Sequence, residues 1–113
     1  MSKELNLINL LTVRTINGKT SWEPTAKERE FLTVVADEIA VLICEFPSRD
    51  PDEDSGDYVM TVKDKDDREI FSIRNALDDV EYKDLVALYI VARRSALNID
   101  KTLDMLLKNL SEE

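Results

Sequence analysis

Three groups of side chains in this sequence have types and spacings that chemistry could use, and all are carboxylates or a thiol. Asp37 and Glu38 are adjacent in an otherwise apolar stretch. Two such carboxylates, if desolvated, could work as a general acid and base. The simpler reading makes them solvated acids on the polar side of a helix that also carries Glu30 and Glu45. Cys44 is the only thiol and follows Val41-Leu42-Ile43, with acids nearby. A reactive thiolate needs an electropositive, partly open site, so the expectation is a core residue. Asp50, Asp52 and Asp54 ahead of Gly56 resemble the start of a calcium loop. Counted from Asp50, however, the position that needs glycine is Ser55 and the one that needs a bidentate glutamate is Thr61. An EF-hand is rejected; loose divalent binding by the acidic stretch stays open.

The chain has no histidine. Ser-His, Cys-His and His-metal constellations are therefore absent. Gly18 and Gly56 are the only glycines, too few for a loop that cradles phosphate. The expectation is a non-enzymatic protein with no catalytic residue, no cofactor and no metal ligand.

What remains is the chemistry of a charged surface. The net charge is −9, and the stretch from Glu45 to Asp84 holds fourteen acids against six bases, a net −8. A concentrated field of one sign selects partners of the other. The candidate partner-binding residues are Asp50, Asp52, Glu53, Asp54, Asp57, Asp64, Asp66, Asp67, Asp79 and Asp84. A pI near 4.5 argues against direct binding to nucleic acid, which runs on Lys and Arg. The sole adjacent basic pair, Arg93-Arg94, reads as a salt-bridging element of a helix.

The leading functional expectation is an acidic protein-binding module that acts by electrostatic contact on a basic protein surface. Inhibitors and immunity-type proteins of nucleic-acid-binding enzymes have this character by analogy. The alternative, from a different class, is a small homodimeric chaperone or assembly adaptor that binds through apolar helix faces. The stripe Leu103, Leu106, Leu107 and Leu110 would supply such a face, if it is not core. The pattern of a small, acidic, histidine-free domain is too general to name a family.

The elements that must position these groups are only partly marked. At 113 residues and 43 % hydrophobic content, the chain reads as one domain, 1–113, with an acidic loop at 47–57. Its longest apolar runs fall short of the roughly twenty residues of a membrane span, and no secretory signal opens the chain. A lone cysteine fits a reducing compartment, so a cytoplasmic setting is expected. Asn17-Gly18, between β-branched flanks, predicts a hairpin over 12–22 after a short helix at 3–11, with a helix from residue 2 capped by Gly18 as its rival. Thr25-Ala-Lys-Glu28 has the form of a capping box, and the apolar positions Phe31 to Phe46 then predict a long central helix ending at Pro47. Residues 58–62 and 69–73 predict a second hairpin. Asp78 and Glu81 open a helix to about Leu97, and a last helix spans 101–111. The expected class is α+β: two hairpins in a four-stranded antiparallel sheet, with the long central helix and two C-terminal helices.

Overall fold

Two helices lie on one face of a five-stranded antiparallel sheet in a computed structural model that describes residues 3–46, 57–74 and 82–111. The order is α1 (Lys3–Ile16), β1 (Glu23–Pro24), β2 (Glu30–Val35), β3 (Ile39–Phe46), β4 (Asp57–Lys63), β5 (Glu69–Arg74), α2 (Tyr82–Ala96) and α3 (Ile99–Ser111). The strands run as a meander, β1-β2-β3-β4-β5. The α+β class and the hairpin over 58–73 are as the sequence predicts. In the first half of the chain the helix expected at 3–11 is present and runs on to Ile16, as in the rival reading capped by Gly18. The hairpin over 12–22 and the long central helix are not present.

The N-terminal hairpin is corrected to the C-terminus of a helix. Gly18 has φ of 76° and follows a helix that runs to Ile16. The Lys19 amide donates to the Arg14 carbonyl at 2.9 Å and the Gly18 amide to Thr15 at 3.1 Å. That pair of bonds is a Schellman cap, which uses the same left-handed preference of glycine that a hairpin turn would. Val13 and Ile16, placed by that reading in the first strand of the hairpin, are instead exposed on α1.

The long central helix is corrected to a second hairpin, β2 and β3. Phe31 and Thr33 on β2, and Val41 and Ile43 on β3, point to the helices and are buried. Leu32, Leu42 and Cys44 point the other way and are half-buried. A continuous apolar run satisfies helical and strand periodicity alike, and here the β-branched residues and the sheet on both sides decide for strand. The turn between them closes with the Glu38 amide donating to Val35 at 3.3 Å, and its central residues Ala36 and Asp37 have φ of 58° and 61°.

This turn makes a test with a definite sign. Ala36 holds a conformation that costs an L-residue about 1–2 kcal/mol. Ala36→Gly should therefore stabilise the protein by roughly 0.5–1 kcal/mol in urea unfolding, after allowance for glycine's extra unfolded-state entropy. In a helix the same change would cost about 1 kcal/mol. A loss of that size would return the segment to the helical reading.

The core lies between the sheet and α2. Leu85, Leu88, Tyr89, Ala92 and Ala96 recur at helical spacing and are buried against Met60, Val62, Ile43 and Ile73. Helix α1 lies beside α2 and contributes Ile8 and Leu11. Trp22, in the link from α1 to β1, is sealed in with them. Among the described residues, no helix is long and apolar enough to cross a membrane.

Candidate interaction surfaces

Among the described residues, helix α3 carries an apolar surface that no other element covers. Its residues Ile99, Leu103, Leu106 and Leu110 repeat at spacings of four, three and four, the seam of a helix that packs against another helix. Asp100 in its first turn and Lys108 in its last suit the helix dipole. A tight turn through Asn98, φ 52°, swings it away from α2, and Arg94 pairs with Asp100 across the bend. None of its 13 residues is buried. Leu103, Leu106, Leu107 and Leu110 are 45, 50, 65 and 69 % exposed. Among the described residues nothing covers the stripe. Sequence reasoning found the stripe; it could not tell that α3 would turn away from the sheet.

The acids fall at opposite ends of the sheet. Asp57 opens β4 opposite Phe46 and is exposed, whereas Asp64, Asp66 and Asp67 form the turn after β4, roughly 20 Å away by strand rise. Because Ala40 pairs with Lys63, the turn of Asp37 and Glu38 sits at that same far end. The pairing thus joins Asp37 and Glu38 to the second acidic group, which no sequence pattern signalled. The expected placement of these two on a helix with Glu30 and Glu45 is corrected. Part of the group is structural: Asp64 Oδ1 accepts from the Asp66 and Arg68 amides at 2.9 and 3.0 Å, and Lys63 pairs with Asp67 at 3.3 Å. Asp84 stands in the first turn of α2 and is half-buried. Asp50, Asp52, Glu53, Asp54 and Asp79, the calcium-like loop and the Asp78–Glu81 cap lie outside the described residues.

Glu45 is a structural hub rather than a surface acid. It accepts a hydrogen bond from Tyr58 Oη at 2.6 Å and pairs with Arg29 at 3.5 Å. Tyr58 packs against Tyr82 and Tyr89 with ring centroids 5.5 and 5.2 Å apart. Burial first, then the hydrogen bond to Glu45 and its charge, push the Tyr58 phenol well above its ordinary range. Burial and Glu45 likewise push Tyr89 up. Both phenols stay neutral, with no poised proton.

Cys44 is corrected from core to sheet surface. It is half-buried on the face of β3 away from the helices, in a cleft of about 450 Å³ with Lys27, Arg29, Val59 and Thr61. Burial and the Glu30 carboxylate raise its pKa against the opposing pull of Lys27, so the thiolate is disfavoured as expected. The capping-box residues are also reassigned. Thr25 accepts from the Lys27 amide at 3.1 Å and donates to Glu30 at 2.8 Å, building the turn from β1 to β2. A larger cleft, about 620 Å³, runs between α1 and β2 and includes Leu7, Leu10, Leu32 and Val34. Among the described residues no three His, Cys, Asp or Glu come together to hold a metal ion.

These features define a class of architecture: a helix-backed antiparallel meander with a projecting amphipathic helix. Comparison with family models, with curated proteins and with solved structures finds no match.

Proposed function

We propose that this chain is a non-catalytic protein-binding adaptor that presents α3 to an apolar groove or helix on a partner protein. The single observation that supports the reading is the uncovered leucine stripe of α3. A 13-residue helix is marginal in water on its own, and its stability comes from packing an amphipathic face. Helix-in-groove recognition uses anchors at this spacing. Burying the half-exposed leucines would contribute about 1 kcal/mol each, half the value for a fully exposed side chain.

Leu106→Gln combined with Leu110→Gln tests this. Both side chains already face solvent, so the fold should keep its stability within about 0.5 kcal/mol. Co-purification of the partner should persist at about 0.05 and about 1 M salt for wild type and drop at least tenfold for the variant. Unchanged recovery by the variant would move the contact elsewhere.

A second reading keeps the acids as the contact for a basic protein surface, as in an inhibitor or immunity-type protein. The observation in its favour is the arrival of Asp37 and Glu38 beside Asp64, Asp66 and Asp67 at one end of the sheet. Electrostatic contacts weaken steeply with salt. A partner lost at about 1 M salt yet retained by the glutamine variant would favour this reading over α3.

A further inference from the structure

The two edges of the sheet are treated differently. At one, β1 is two residues long, contains Pro24 and pairs only with Phe31 and Leu32. A short strand with proline is a guard against further pairing. At the other, β5 has six residues and, among the described residues, pairs with β4 alone. Every second residue of an antiparallel edge strand aims its N–H and C=O outward. Residues 70–73 contain no lysine, no proline and no charge, and Ile70 and Phe71 are 53 and 38 % exposed. Among the described residues, the guard on this side is an irregularity at Val62/Lys63, opposite the Glu69 end of the strand.

From this asymmetry we infer that β5 is the seam of a homodimer, in which the β5 strands of two copies pair antiparallel to form one continuous sheet. The occupant follows from the strand's self-complementarity. A two-fold axis normal to the sheet needs one residue opposite its own copy, and Ser72 serves. Phe71 then stands opposite Ile73 of the second copy. Both lie on the helix side, because their β4 partners Val62 and Met60 are buried there. The same register keeps the uncharged residues 70–73 at the centre of the seam. An axis at Phe71 would instead set Glu69 opposite Ile73 and Arg68 opposite Arg74, a poorer match. A contact of this extent lies at the small end of stable interfaces, with a dissociation constant of about a micromolar. Each copy carries −9, so the copies repel at long range and the dimer tightens as salt screens them. That trend is opposite in sign to binding by the acids, and the inference rests on β5 and not on α3.

The mass of the full-length chain by sedimentation should be that of a dimer at about 100 µM in about 0.5 M salt, with at least tenfold weaker association at about 0.05 M. Phe71→Lys places a gatekeeper charge on the edge and should give a monomer throughout. Ser72→Cys in a Cys44→Ser background should form a covalent dimer under mild oxidation, since directly opposed Cα atoms about 4.5–5.5 Å apart suit a disulfide. Lys65→Cys in the same background should not. The Leu106→Gln/Leu110→Gln variant should dimerise as wild type does. A monomeric wild type at high salt, a dimeric Phe71→Lys, or equal cross-linking at the two cysteine positions overturns the seam. A monomeric α3 variant overturns it too, while leaving α3 as a contact surface.

Discussion

Trp22→Ala should cost about 3–5 kcal/mol, the usual range for deleting a buried large aromatic side chain. Trp22 is 3 % exposed, yet it sits on no helix and only next to a two-residue strand. Its burial docks the link between α1 and the sheet. The indole Nε1 donates to Thr15 Oγ1 at 2.9 Å, and that hydroxyl donates in turn to the Leu11 carbonyl at 2.7 Å. The Trp22 amide donates to Ser95 Oγ on α2 at 3.0 Å. One residue therefore ties α1, the sheet and α2 together. Trp22→Phe retains much of the apolar area and leaves Thr15 bonded to Leu11, so its cost should be about 1–2 kcal/mol. Small domains hold about 5–15 kcal/mol in total, so the alanine variant should unfold in far less urea than wild type. Far-UV circular dichroism is the readout, because Trp22 is the only tryptophan. A cost below about 1 kcal/mol would mean that the link is not docked as described.

The second half of the fold was legible in the sequence for identifiable reasons. Tyr58 to Val62 and Glu69 to Ile73 are short apolar segments separated by a polar turn, and the stripes of α2 and α3 have helical period. The first half failed where one local signal serves two structures. Asn17-Gly18 favours left-handed backbone whether it closes a hairpin or caps a helix. Phe31 to Phe46 is apolar enough to satisfy both periods, and its turn uses Ala36 and Asp37 at positive φ in place of glycine. Nothing local marked a reversal there; pairing with β4 supplied it. The candidate surfaces divide the same way. The leucine stripe of α3 is local and visible, but its exposure depends on α1 and the sheet having already taken both flanks of α2. The placement of the Asp37 turn at the same end of the sheet as the Asp66 turn depends on register, which only the assembled sheet defines.

Tyr58→Phe should cost about 1.5–3 kcal/mol at neutral pH and should also change how stability falls in alkali. The first effect is the loss of a hydrogen bond to a charged acceptor, Glu45 Oε2 at 2.6 Å, leaving that carboxylate with Arg29. The second follows from proton linkage. In the unfolded chain Tyr58 ionises near 10.0; in the fold, burial and the adjacent Glu45 charge hold it protonated to higher pH. Between those two values the folded state binds a proton that the unfolded state has released. The stabilisation is thus complete below the unfolded pKa and is lost as pH rises towards the folded one. Tyr89, raised chiefly by burial, adds a slope of the same sign. Urea unfolding from pH 8 to about 11 should show wild type losing stability above about 10, and Tyr58→Phe losing less because only Tyr89 still contributes. Glu45→Gln keeps an acceptor for the phenol but removes the charge, so the alkaline loss should be shallower than in wild type. Equal slopes for wild type and Tyr58→Phe would mean that the phenol meets water in solution. The contact between Glu45 and the tyrosines could not then be what closes that end of the sheet over α2.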